Sequence, residues 1–415
     1  RDGRLDIATR LLSTYKVDVN AKYAGYTSLL LAVKQRDLEA VELLLKSDTI
    51  DVHCRNISGQ TPLLYSVTHG SIAIFERLMR HNMIKINDQD KKGVAPITAA
   101  LSHNQGVIFQ TLLFDPRTNV NIKDWRGQTP LHMAVRMNNN GAIQMLVKHP
   151  EVLVNCVDNN GDTPLLLALK HYNHFQAIRN VESLVYGHRV DLHWKDRDGR
   201  TAIWYAVDLN DEVLLRMFLK EGNLGQTKVE LNEVDEFGTT PLARASQRGY
   251  LPTMKILFDQ PGICINAPTQ FAISPLLAAC RAGKKSAVEL LLRQGSTNID
   301  QTDLDGNSAL QVAINAKQFD IAGILAARRD STSSDGEFGL FERVLFAEDL
   351  DLNLVDDQGR TPLWWAADYG NLKAVKLLCA QKGVKKRTKD VHGITVYVIA
   401  KRHGHVDILK FWRAP

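Results

Sequence analysis

His171 and His174 stand three residues apart, a spacing at which two imidazoles on one helix face can share a metal ion. No cysteine or carboxylate stands at a matching position, so the expected role is a polar helix edge. His403 and His405 flank Gly404, and His132 closes the phrase Thr129-Pro130-Leu131-His132; both settings suggest packing and hydrogen bonding rather than proton transfer. Aspartates recur at one structural place: Asp124, Asp158, Asp196, Asp235, Asp303, Asp356 and Asp390. Catalytic carboxylates come as one unequal pair, whereas a repeated aspartate before glycine caps a turn. The sequence holds no Gly-x-x-x-x-Gly-Lys loop, no Gly-x-Ser-x-Gly elbow and no His-Glu-x-x-His pair. The reading is of a chain that is not an enzyme and carries no metal or cofactor.

The five cysteines, Cys54, Cys156, Cys264, Cys280 and Cys379, are odd in number and include no Cys-x-x-Cys. Cys54 and Cys156 are 102 residues apart, three periods of 34, and so cannot approach within the roughly 7 Å that a disulfide needs. Reduced thiols, and with them a cytoplasmic setting, are expected. Lys385-Lys386-Arg387 is a short basic run, read as a solvated loop. With a net charge of only +5 over 415 residues, no nucleic-acid partner is expected.

The elements that position these residues follow from a period. The turn glycines are Gly25, Gly59, Gly93, Gly127, Gly161, Gly199, Gly238, Gly306, Gly359 and Gly393, with Ala272 in the glycine place of one repeat. The steps are 34, 34, 34, 34, 38, 39, 34, 34, 53 and 34 residues. After many of them comes one phrase, as in Gln60-Thr-Pro-Leu63, Asp162-Thr-Pro-Leu165 and Arg360-Thr-Pro-Leu363. Threonine caps a helix start and proline fits its first turn. A second apolar pattern follows, as in Leu38, Val41 and Leu45, which share a helix face. Two short helices cannot bury such faces alone, so neighbours must stack into one core. An extended Val-Asn segment (Val120-Asn121, Val154-Asn155, Leu231-Asn232) leads to each projecting turn, or finger.

A period near 34 with Thr-Pro-Leu-His-x-Ala resembles the ankyrin repeat, a turn followed by two helices. The resemblance implies an all-α solenoid of helix-turn-helix pairs covering nearly the whole chain. The expected divisions are a partial repeat at 1–21 with only its second helix, then repeats at 22–55, 56–89, 90–123, 124–157, 158–195, 196–234, 235–268, 269–302, 303–355, 356–389 and 390–415. The fifth and sixth carry short insertions, and 303–355 carries a long one with a polar loop at 329–336. Residues 326–348 form either an extra helix or a lengthened one. The opening half-repeat implies a fragment of something longer. The end at Phe411-Trp412, without a polar cap, implies that the array continues or is capped by something else.

In such arrays partners bind the fingers and the concave ends of the first helices. Carried over by position, the resemblance implies partner contacts at Lys123, Trp125, Arg126 and Gln128 in one finger, and at Arg197 and Arg200 in another with Trp194 just ahead. It adds Phe237 and Phe271 in later fingers and, at the helix ends, Arg136, Met137, Lys170, His171, Arg248, Arg281 and Tyr369. Aromatic and arginine side chains are the usual interface anchors. Trp364 and Trp365 sit where a neighbouring repeat packs, and core burial is expected. A rival reading places a small ligand in the concave groove around Trp125, His171, Trp194 and Arg248. The phrases at 350–359 and 359–367 look like fungal ankyrin arrays, many of which are the C-terminal sensors of NACHT-type NTPases. That implies a partner-sensing module of a larger protein, or alternatively a targeting scaffold fused to an enzyme. No apolar run approaches the roughly 18–20 residues of a membrane span.

Overall fold

The computed structural model describes residues 18–171, 177–186, 189–224, 230–267, 273–316, 318, 320–322, 324–325, 352–353, 355, 358–368 and 370–413. The expected half-repeat before residue 18, the turn at Ala272, His174 and the question of a helix at 326–348 lie outside these residues. The chain forms two compact units, Arg1–Arg197 and Asp198–Pro415.

The first unit is an all-α solenoid of helix pairs: α1 (Ser28–Gln35) with α2 (Leu38–Leu44), α3 (Pro62–Thr68) with α4 (Ile72–Met79), α5 (Pro96–Ser102) with α6 (Gly106–Leu113), α7 (Pro130–Arg136) with α8 (Asn140–Lys148), and α9 (Pro164–Lys170) with α10 (Ala177–Val185). The second repeats the plan: α11 (Ala202–Asp208) with α12 (Glu212–Leu224), α13 (Pro241–Arg248) with α14 (Leu251–Phe258), α15 (Pro275–Arg281) with α16 (Lys285–Leu292), α17 (Ala309–Asn315), α18 (Pro362–Asp368) with α19 (Leu372–Ala380), and α20 (Val396–Arg402) with α21 (Val406–Arg413). Among the described residues there is no extended strand, only isolated bridges such as Tyr23 to Tyr26.

The helix starts form as the sequence phrase requires. Thr129 Oγ1 accepts from the His132 amide, Thr163 from Leu166 and Thr240 from Ala243, each with proline next in line. Where alanine replaces threonine, at Ala95, the Thr98 hydroxyl accepts from the Ala95 amide instead, at 3.0 Å. First helices are buried almost all round, as Pro62 through Val67 show in α3, because each is packed between its own partner and the next repeat. Second helices bury one face only, as Ile74, Phe75, Leu78 and Met79 do in α4. Each such Leu, Ile or Phe contributes about 1.5–3 kcal/mol of apolar burial, nearly all of it at contacts between elements.

His132 is fully buried. Its Nδ1 faces the Thr129 amide and hydroxyl at 3.3 and 2.9 Å, and its Nε2 lies 3.0 Å from the Asp162 carbonyl of the next repeat. Burial pushes its pKa down, which suits a neutral ring accepting at Nδ1 and donating at Nε2. Trp364 occupies the same repeat position, and its Nε1 donates to the Ile394 carbonyl at 3.2 Å. The indole replaces the imidazole as the inter-repeat donor. Trp365 beside it is also buried, so both tryptophans belong to the core.

Two further ties join consecutive repeats. In most extended segments an asparagine reads the next repeat's backbone with both ends of its amide. Asn121 Nδ2 donates to the Glu151 carbonyl at 2.7 Å while its Oδ1 accepts from the Leu153 amide at 2.8 Å. Asn20, Asn87 and Asn155 do the same in the first unit, and Asn232, Asn266 and Asn353 in the second. The fingers themselves stack through single backbone bonds: Lys91 amide to Ser58 carbonyl, Trp125 to Lys92, and Asn159 to Arg126. Most fingers are closed by an aspartate, as Asp124 Oδ1 accepts from Arg126 and Gln128 at 2.9 and 2.8 Å. The finger at Gly59 is closed by Asn56, whose Oδ1 accepts from Ser58 and Gln60 at 2.9 Å.

The turn glycine answers both demands. Gly127 has φ +73°, and a Cβ there would lie 2.5 Å from Asn159 Oδ1 and 2.9 Å from its amide nitrogen. Gly106, at the start of α6, has nothing within 4 Å of such a Cβ. Gly127→Ala should therefore lower stability by about 2–3 kcal/mol, whereas Gly106→Ala should raise it by up to about 1 kcal/mol. Urea unfolding of the two variants measures both; equal effects would mean that the stacked fingers do not constrain the turn.

Candidate partner-binding surfaces

In the first unit Trp125 is the most prominent of the expected residues. Its backbone is held on both sides, the amide by the Lys92 carbonyl and the carbonyl by Asn159 Nδ2 at 3.0 Å, while the side chain is 62% exposed. The Arg126 guanidinium lies over the ring, 5.2 Å from its centroid. Nothing in folding requires a large aromatic at that point. Trp194 is also exposed, though less so, and Met137 projects from the end of α7 next to exposed Arg136. His171 is exposed just past α9.

Other expected contacts are engaged internally. Gln128 is buried, only 5% exposed, which removes it from the binding surface. It links Arg136, whose Nη1 donates to Gln128 Oε1 at 2.8 Å, to Asp158 of the next finger at 3.4 Å. Lys123 Nζ donates to the Val157 carbonyl at 2.9 Å, and Arg197 donates to the Asn159 carbonyl. Lys170 sits between two buried carboxylates, 2.6 Å from Asp162 and 3.1 Å from Asp196. Burial alone would lower its pKa, but the hydrogen bonds it donates to Asp162 and Asp196 outweigh it and the net shift is upward.

In the second unit Phe237 is exposed on its finger, its amide bonded to Asp235 Oδ1 at 3.0 Å, and Arg248 is exposed at the end of α13. Arg281 lies 3.3 Å from Asp303. Arg200 pairs with Asp198 at 3.0 Å and stacks over Trp204 at 4.6 Å, with Arg244 over the same ring at 5.5 Å. Its charge thus faces its own repeat. Phe271 and Tyr369 lie outside the described residues.

The structure also exposes fingertips that the residue-type search passed over: Tyr23 (80% exposed), Ile57 (68%), Lys91 and Lys92. Each stands one or two positions before a turn glycine, so register alone marks them.

Little in this set can do chemistry. Among the described residues no group of three or more His, Cys, Asp or Glu side chains could hold a metal ion, and no helix is long and apolar enough to cross a membrane. His403 Nε2 lies 3.3 Å from Asp368 Oδ1 and His405 Nε2 lies 2.8 Å from the Asp368 carbonyl, which ties both to the neighbouring helix end. All five cysteines are free thiols; burial raises Cys54 to about 11 and Cys280 to about 12, keeping both protonated. A groove of about 840 Å³ lies between α8 and α10, lined by Gln144, Lys148, Glu182, Tyr186 and Arg189 among others. It involves none of the residues expected to line a concave ligand site. Arg189 is turned onto the carbonyls of Val147, His149 and Pro150.

Comparisons with known proteins agree with this architecture. Profiles described as "Ankyrin repeats (3 copies)" match residues 97–180, 176–269, 265–335 and 332–411, and one described as "Ankyrin repeats (many copies)" matches 29–79. The chain is 26% identical over 237 residues to the ankyrin repeat domain-containing protein SAT10 of Stachybotrys chartarum, covering 54% of this chain and 12% of that one. It is 28% identical over 155 residues to neurogenic locus notch homolog protein 1 of Xenopus tropicalis, covering 37% of this chain and 5% of that one. It thus spans roughly an eighth or less of the length of these relatives. Among solved structures, the ankyrin repeat domain of Bcl-3 aligns at 22% identity with a TM-score of 0.47, over 56% of this chain and 99% of that one.

The two ion pairs generate opposite expectations. Lys170→Met removes the ammonium that bonds buried Asp162 at 2.6 Å and should cost about 3 kcal/mol. Arg281→Met leaves buried Asp303 still accepting from the Asp305 and Asn307 amides and from Asn307 Nδ2, and should cost less, about 1 kcal/mol. Because the folded-state pKa of Lys170 is raised, its contribution is complete below the ordinary value of 10.5 and fades as pH rises through the folded value. Denaturant melts of both variants at neutral and strongly alkaline pH check this; a Lys170 deficit that persists undiminished at high pH would contradict it.

Proposed function

Because this chain belongs to the ankyrin-repeat family, we propose that it serves as a non-catalytic protein-interaction module within a larger protein. Ankyrin repeats are in general protein–protein interaction modules. The partner is held on the fingers and the exposed ends of the first helices. Trp125, Arg126, Arg136, Met137, His171, Trp194 and Arg197 carry contacts in the first unit, and Phe237, Arg248 and Arg281 in the second. Lys123, Lys170 and Arg200, already bonded within the stack, position these groups. Phe271 and Tyr369 keep their place in the proposal by register.

The observation that carries this reading is the exposed indole of Trp125 on an immobilised backbone, with a guanidinium against its face. A rigid finger loses little conformational freedom on binding, so burial of the ring goes largely into affinity. As to context, the phrases at 350–359 and 359–367 and the similarity to a Stachybotrys chartarum protein support a fungal array of the kind that serves as sensor in NACHT-type NTPases. Five free thiols support a cytoplasmic location.

The chain should recover a stoichiometric protein partner from a native extract, and Trp125→Ala/Arg126→Ala should reduce recovery by about tenfold or more at unchanged helical content by circular dichroism. Recovery of a small molecule in place of any protein would move the assignment to a ligand-binding groove.

A further inference from the structure

We propose that the finger row of the first unit is a docking strip for an acidic polypeptide segment that also carries apolar residues. This rests on the interaction-module reading above and adds the chemistry of the partner. The row is continuous. Ile57 Cγ2 lies against Gly25, 2.8 Å from where a Cβ would stand, and the following fingers are joined by the Lys91 to Ser58 and Trp125 to Lys92 backbone bonds.

Its tips carry Tyr23, then Ile57, then Lys91 and Lys92, then Trp125 and Arg126, all exposed. The carboxylates of these fingers do not share that exposure. Asp90 and Asp124 turn inward, each with Oδ1 on two amides of its own turn, at 2.8 to 2.9 Å. Asp88 faces His53 at 3.3 Å and Arg55 at 3.4 Å. In these fingers, from Lys22 to Arg126, the exposed charged side chains are therefore all cationic: Lys22, Arg55, Lys91, Lys92, Lys123 and Arg126. Exposed acidic side chains stand off the tips, Glu39, Glu42 and Glu76 on the second helices and Asp18, Asp48 and Asp51 in the segments that lead to the first two fingers.

This sorting of charge gives one edge of the unit a positive potential, which attracts an acidic segment and repels a basic one. The apolar tips decide between anionic partners. Each of these fingers carries a cation, which by itself suits a phosphate backbone or an acidic peptide. The exposed aliphatic tip of Ile57 favours the peptide, because it offers neither charge to a phosphate nor a ring on which a base can stack. A peptide mixing acidic with apolar side chains matches apolar, apolar, basic, then aromatic with basic. Trp125 is the anchor, and Lys91, Lys92 and Arg126 set the charge preference.

The test is selection of phage-displayed random peptides on the full chain. Selected peptides should be rich in Asp and Glu around an aromatic or aliphatic residue. They should bind the Lys91→Glu/Lys92→Glu/Arg126→Glu variant at least about tenfold more weakly, and lose affinity as salt rises toward about 0.3 M. Circular dichroism melts confirm that the variant is folded; should it not fold, Lys91→Ala/Lys92→Ala with an expected loss of about threefold or more replaces it. Peptides without acidic bias, or bound equally by wild type and variant, overturn the proposal while leaving the interaction module intact. Absence of any selected peptide, or preferential binding of a single-stranded oligodeoxythymidine probe, also overturns it. The interaction-module reading stands or falls separately, on recovery of a protein partner from extract.

Discussion

Within each unit, most repeats are bound to the next by an asparagine: Asn20, Asn87, Asn121 and Asn155 in the first, and Asn232, Asn266 and Asn353 in the second. Its amide donates to one backbone carbonyl and accepts from the amide two residues beyond, both in the following repeat, as Asn121 does at Glu151 and Leu153. This contact fixes spacing as well as adhesion, because both bonds are made only in one register. With register fixed, the apolar first helices meet side by side and the turn aspartates fall into line. The fingers then come close enough that only glycine fits at Gly59, Gly93 and Gly127. Stability in such a stack is a sum of nearest-neighbour terms, and the surface it presents is as regular as the ladder beneath it.

That regularity explains which residues are available for binding. Polar side chains that face the next repeat are drawn into the stack: Gln128 toward Asp158, Lys170 between Asp162 and Asp196, His132 onto Asp162 and Trp364 onto Ile394. Several side chains at the fingertips are left largely to solvent. They are free to vary without loss of fold, and it is there that Trp125, Phe237, Tyr23 and Ile57 stand exposed.

Much of this was legible in the sequence. The 34-residue step and the Thr-Pro-Leu phrase carry the helix starts, the turn glycines and the capping aspartates, since each is a local demand on backbone geometry. The burial of Trp364 and Trp365 followed from their place in the first helix. What the sequence did not reveal depends on the neighbour across the stack. Gln128 reads as a finger residue until Arg136 and Asp158 are seen to enclose it. Lys170 and Arg281 occupy matching positions, yet one is held by two carboxylates and the other by one. The Val-Asn segment was visible as a recurring phrase, but its amide bonds lie 30 and 32 residues away.

The central claim, that the fingers of the first unit receive a partner, is tested most directly by position-specific photo-crosslinking. A benzophenone amino acid would be placed at Trp125, and separately at Val107, an equally exposed position on α6 at the opposite helix of the pair. In cells expressing the full chain, a discrete crosslinked protein at position 125 and none at position 107 is the predicted result. Crosslinks at 107 with none at 125 would show that the partner docks on the second helices and would contradict the account.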